Sequence, residues 1–76
     1  MEIKDFIEKF AEAVDVENVD SLSESTEFKM LDEWSSLAAL SVIAMVDEEY
    51  EITIKGDDIR QSDTIGDLFN VVKTKA

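Results

Sequence analysis

Residues 35–50 read Ser35-Ser36-Leu37-Ala38-Ala39-Leu40-Ser41-Val42-Ile43-Ala44-Met45-Val46-Asp47-Glu48-Glu49-Tyr50. Serine is a preferred helix cap, and the run behind it predicts a helix from Ser35 or Ser36 to about Tyr50. At about 100° per residue, Ala39, Val42, Ile43, Val46 and Tyr50 share one face, the expected core stripe. Leu37, Leu40 and Ala44 fall largely on the other side. Glu48 shares their face and Asp47 lies at its edge. Two leucines and an alanine beside acids form either a small docking patch with a charged rim or a surface that another segment folds over. On pattern alone the two readings stand level.

Upstream, Ile3, Phe6, Ile7, Phe10, Ala11 and Val14 recur at helical spacing, so a first helix is expected over about 2–15. Residues 16–33 have no sustained period. Ser21, Ser23, Ser25 and Thr26 favour turns there, and the stretch reads as a long loop pinned to the core by Val16, Val19, Leu22 and Phe28. Downstream, Glu51–Lys55 alternates polar and apolar and reads as short extended chain. Asp57-Asp58-Ile59 suggests one helical turn after Gly56. Thr64 and Asp67 have capping-box spacing. Ile65, Leu68, Phe69 and Val72 give the last helix its stripe, ending near Lys73. The expectation is an all-α bundle of three main helices and a short fourth, with no clear sheet, forming one domain over 1–76.

Composition narrows the chemistry. The chain has 76 residues, 19 acids against 7 bases, a net charge of −12, and no cysteine, histidine or proline. Zinc fingers, iron–sulfur clusters, disulfides, thiol nucleophiles and a Ser-His-Asp triad are therefore excluded. The charge disfavours nucleic acid and anionic membranes. Hydrophobic residues at 45% sustain a core, although so short a chain holds it thinly and self-repulsion thins it further. The longest near-apolar run, Leu37–Val46, is interrupted by Ser41 and is too short to span a bilayer, which needs about 20 residues. Met1–Asp5 is too acidic for a signal peptide, so the cytoplasm is the expected compartment.

Few residues remain as candidates. Ser35 and Ser36 are caps on the simplest reading; the alternative is that one hydroxyl is a covalent attachment point at the positive end of a helix dipole. With no histidine as base, any reaction there needs another protein. Neither Gly56 nor Gly66 frames a calcium loop, and Asp47-Glu48-Glu49 reads as a solvated face. Trp34 reads as a core or staple contact before the second helix.

The segment Leu31-Asp32-Glu33-Trp34-Ser35-Ser36-Leu37 resembles the attachment motif of acyl carrier proteins. In that family an Asp-Ser-Leu triplet opens the second helix, and its serine receives phosphopantetheine from coenzyme A. Ser36 matches the modified serine and Leu37 the leucine after it, while Ser35 stands at the aspartate position. The Trp-x-Ser-Leu form is similar to that of some specialised carriers. Phe28, the run Val42-Ile43 with Val46-Asp47-Glu48-Glu49-Tyr50, Ile52 and Ile54, and Thr64-Ile65-Gly66-Asp67-Leu68 extend the resemblance over nearly the whole chain. Lys55-Gly56 stands where the family often has proline.

The resemblance implies a carrier and not an enzyme, with an acyl-carrier-like four-helix bundle. A phosphopantetheinyl transferase would attach the arm to Ser36, and cargo would ride on it as a thioester in a fatty-acid, polyketide or specialised lipid pathway. Partner enzymes with basic docking patches would meet Leu37, Leu40, Ala44, Asp47 and Glu48. Ala38 and Ser41 replace acids often found on that contact surface. The expected state is a monomer with no metal. Two other readings remain: a binding module of the same fold without an arm, and an acidic helical protein that responds to metal.

Overall fold

The computed structural model describes residues 2–76. Its helices are α1 (Ile3–Val14), α2 (Ser36–Tyr50), α3 (Gly56–Gln61) and α4 (Ile65–Lys75). No strand occurs among the described residues. The molecule is thus a small all-helical bundle of three longer helices and one short one.

The α1 stripe folds as its spacing requires, with Phe6, Phe10, Ala11 and Val14 buried. The helix ends where Asp15 turns left-handed, with φ 63°, and the Val16 N–H donates back to the Ala11 carbonyl at 2.9 Å. That closure uses up carbonyls the helix would otherwise leave unpaired.

The connection to α2 is not one featureless loop, because single 3-10 turns form at Val19–Ser21 and Phe28–Met30. Leu22 and Phe28 are buried, and Val16 and Val19 are partly buried against the core. Phe28 meets Phe10 and Trp34 edge-on, at centroid distances of 5.6 and 4.9 Å. Trp34 lies parallel to Phe10 at 6.2 Å. The residues that interrupt the polar stretch therefore hold it down, as aromatic side chains with large burial do.

The same connection caps α4. The Thr26 carbonyl accepts from the Ile65 N–H at 3.0 Å, and the Glu24 carbonyl accepts from the Gly66 N–H at 2.8 Å. At Gly66 there is no room for a side chain: a Cβ would stand 2.9 Å from the Glu24 carbonyl oxygen. Thr64 Oγ1 accepts from the Asp67 N–H at 3.1 Å, while Asp67 Oδ2 accepts from the Asp63 and Thr64 N–H groups. Those two backbone donors hold the Asp67 carboxyl below the ordinary carboxylate range.

Two expectations need correction. The buried face of α2 comprises Ala38, Val42, Met45 and Val46, whereas Ala39, Ile43 and Tyr50 are only half-buried. The cause is unequal cover: α1 packs along α2 beside Met45, while α3, six residues long, covers Ala39 and Ile43 incompletely. Consequently Ala38 belongs to the core and not to a partner-facing surface. α3 is also longer than the single turn expected, because the Asp58 carboxylate caps it from the Lys55 N–H at 2.9 Å. Buried Ser62 closes it, donating to the Asp58 carbonyl at 2.8 Å. Ile52 and Ile54 alternate inward from the extended stretch before it, and α4 continues past Lys73 to Lys75.

Candidate functional site

The two neighbouring serines have different jobs. Ser35 is the N-cap of α2, with φ −160° and ψ 176°. Its Oγ accepts from the Ala38 N–H at 3.1 Å and its carbonyl from the Ala39 N–H at 3.0 Å. Trp34, packed on Phe10 and Phe28, fixes the chain immediately before it. Ser36 is the first helical residue and is exposed. Among the described residues its hydroxyl has no hydrogen-bond partner. The amides of Ser36 and Leu37, at the first two helical positions, have no carbonyl within the helix to donate to. No acid stands in the first turn of α2. The arrangement presents a free hydroxyl beside the positive end of a 15-residue helix.

The outer face of α2 is bare. Leu37 is 75% and Leu40 61% exposed, so no segment folds over them. Ala44, Asp47 and Glu48 are exposed as well, and helical geometry places Leu37, Leu40, Ala44 and Glu48 on one side with Asp47 at its margin. Every residue named from the sequence as a partner contact is thus accessible. Met30, 80% exposed on the 3-10 turn before α2, is a further large apolar side chain in solvent that the sequence reading left unassigned.

Comparison with protein-family models finds no match, and comparison with curated proteins and with solved structures finds none.

Charge along α2 runs against the helix dipole. Asp47, Glu48 and Glu49 crowd its C-terminal turn, where the unpaired carbonyls already make the end negative, and no base stands there. Among the described residues only Lys9 of α1 approaches, 3.8 Å from Glu49. A local arrangement that costs stability and stays in solvent fits recognition better than folding. Among the described residues, no three acids gather as metal ligands.

No pattern in the chain points to what lies between α2 and α3. A groove of about 450 Å³ opens beside Ser35 and Ser36, floored by Trp34, Ala39, Leu40, Ile43 and Ile59. Lys29 and Arg60 stand at it too. Lys29 Nζ donates to the Arg60 carbonyl at 2.8 Å and so ties the connection to the end of α3. Only the length of α3, shorter than its neighbours, could have hinted at an uncovered flank of α2.

Proposed function

We propose that this chain is an acyl carrier domain in which Ser36 Oγ bears phosphopantetheine. The observation that carries the reading is the division of labour at the start of α2: Ser35 spends its hydroxyl on the cap, and Ser36 leaves its own free in solvent. The residues fit the group. A phosphodiester at Ser36 Oγ would lie beside amides without intrahelical acceptors, with no first-turn acid to repel it. When bound, the group supplies the thiol this chain lacks, on which acyl cargo is held as a thioester.

The chain's own part is to position and to present. Ser36 has no histidine beside it, so a phosphopantetheinyl transferase would supply the base that takes the hydroxyl proton while Ser36 Oγ bonds to the pantetheine-side phosphorus of coenzyme A and the pyrophosphate P–O bond breaks, with adenosine 3′,5′-bisphosphate leaving. Leu37, Leu40 and Ala44 offer apolar contact, and Asp47 and Glu48 steer basic docking sites toward it. The net charge of −12 speeds encounter, and a small interface lets each partner go again. The reading describes a cytoplasmic monomer that serves enzymes of a fatty-acid, polyketide or specialised lipid pathway and is not itself an enzyme.

One observation favours a second reading. The bare α2 face exists without any arm, so a binding module that docks a basic partner directly would present the same leucines. Incubation with coenzyme A and a broad-specificity transferase separates the two. Intact mass is expected to rise by one arm in the native chain and in Ser35→Ala, and to stay unchanged in folded Ser36→Ala. A native chain that never gains the arm rules the carrier reading out.

A further inference from the structure

We propose that Met30 is an oxidation site: a peroxide converts its thioether to the sulfoxide without disturbing the fold, and the polar group so made weakens docking of the partner that meets Leu37 and Leu40. Naming that partner as a phosphopantetheinyl transferase rests on the carrier reading; the oxidation site does not.

Exposure singles Met30 out. The chain has no cysteine, so methionine is its only sulfur. Of the two methionines among the described residues, Met45 lies in the core at 8% exposure and Met30 stands in solvent at 80%. Access decides which thioether reacts. Hydrogen peroxide is uncharged, so the net charge of −12 does not keep it away. In the reaction the Met30 sulfur attacks one peroxide oxygen: an S–O bond forms, the O–O bond breaks, and the departing oxygen takes up the remaining proton and leaves as water. The thioether is oxidised by two electrons and the peroxide is reduced by two.

The turn does not depend on this side chain. Phe28 is buried, Leu31 and Trp34 pack against the core, and Lys29 Nζ donates to the Arg60 carbonyl. Met30 lends its backbone N–H, which donates to the Glu27 carbonyl at 3.0 Å. Its neighbours on both sides hold the turn, so a sulfoxide oxygen at Met30 stays in water. The same oxygen at Met45 would be forced into the core, at the cost of an unpaired buried acceptor.

Position gives the oxidation a consequence. A single exposed apolar residue is ordinary. Here the large apolar residues exposed among the described residues, Met30, Leu37 and Leu40, all fall between positions 30 and 40, on either side of Ser36. Lys29, the residue before Met30, lines the same groove as Leu40, which sets the turn against the bare flank of α2. An unbranched, polarizable thioether adapts to partners of different shape, as a surface that meets several enzymes requires. The sulfoxide is polar and chiral and forfeits that apolar contact.

The native protein is treated with hydrogen peroxide, the excess is destroyed with catalase, and peptides are mapped by mass. Met30 is expected to gain one oxygen about tenfold faster than Met45 or more, with the melting temperature unchanged. The oxidised protein is then offered, with coenzyme A, to a broad-specificity phosphopantetheinyl transferase. The KM for the oxidised chain is expected to rise about fivefold at unchanged kcat, the mark of a lost docking contact. Met30→Gln, polar from the start, is expected to show a similar rise. Met30→Leu keeps an apolar side chain without the thioether, so peroxide treatment is expected not to move its KM. Methionine sulfoxide reductases, one for each sulfoxide epimer, are expected to restore the native KM, the oxygen leaving as water while a dithiol closes to its disulfide. Met45 oxidised as fast as Met30, or a melting temperature that falls as Met30 gains oxygen, overturns the surface site. An unchanged KM in the oxidised chain or in Met30→Gln, or an equal rise in peroxide-treated Met30→Leu, overturns the docking role. A chain that never takes the arm removes the carrier reading and this partner with it, while selective oxidation of Met30 in an intact fold still stands.

Discussion

α2 and α4 begin in opposite ways. At α4 the first-turn donors are consumed: Ile65 and Gly66 give to backbone carbonyls of the preceding connection, Asp67 gives to Thr64 Oγ1, and the Asp67 carboxylate sits at the positive end of the dipole. At α2 a single serine oxygen serves as cap, the first two amides are left over, and no acid stands nearby in the turn. Both starts are stable enough to fold. One is closed in order to hold the chain together, and the other is left open where a hydroxyl is exposed. A helix start with unsatisfied donors in solvent is tolerable, because water takes them, and it is the cheaper place to keep a site.

The largest effect removes what holds both starts. Phe28 anchors the connection whose residues 24–26 cap α4 and whose end leads into α2. Phe28→Ala is expected to cost about 3–5 kcal/mol, which in a domain this small is most of its stability. Thermal denaturation followed by circular dichroism checks it. A loss below about 1 kcal/mol would show that the connection is not what ties the two helices.

Gly66→Ala strikes α4 alone. A methyl 2.9 Å from the Glu24 oxygen and 3.2 Å from the Glu24 Cβ must push the connection away. The expected cost is about 1–3 kcal/mol, with Ser36 still modified at the native rate per folded molecule. Lost modification at unchanged stability would mean that the two starts are coupled and not separate. Ser35→Ala strikes α2 alone. It removes the acceptor for the Ala38 N–H and is expected to cost about 1 kcal/mol in a melt, while the arm still goes to Ser36.

How far the sequence could be read differs between these regions for a physical reason. The helices and the capping box of Thr64 and Asp67 are local patterns, and local patterns carry their own spacing. Leu37, Leu40, Ala44 and Glu48 share one side because a helix face is fixed by its period, but pattern alone leaves a bare and a covered face level, and it is the structure that leaves this one exposed. The depth of burial around α2 was not legible, because it depends on how much of the helix α3 covers. That left Ala38 and Met45 unrecognised as core, and Ile43 overestimated. The carbonyls of Glu24 and Thr26 at α4, and the meeting of Lys29 with Arg60, join residues far apart in the chain that share no pattern. Gly66 inside a helix start was the one visible trace of the first contact.

The smallest effect comes from giving α2 the acid that α4 has. Leu37 is the second residue of the helix and 75% exposed, so Leu37→Glu sacrifices little core. A carboxylate there faces the leftover amides and the positive dipole end, and is expected to raise stability by about 0.3–1 kcal/mol at low salt. The same charge repels a phosphodiester arriving at Ser36, so the rate of arm attachment should fall although the fold is firmer. Leu37→Gln loses the leucine without adding charge and separates lost apolar contact from repulsion. A modification rate in Leu37→Glu equal to that of Leu37→Gln would show that the open start of α2 is not electrostatically tuned for an anion, and its lack of acids would then need another explanation.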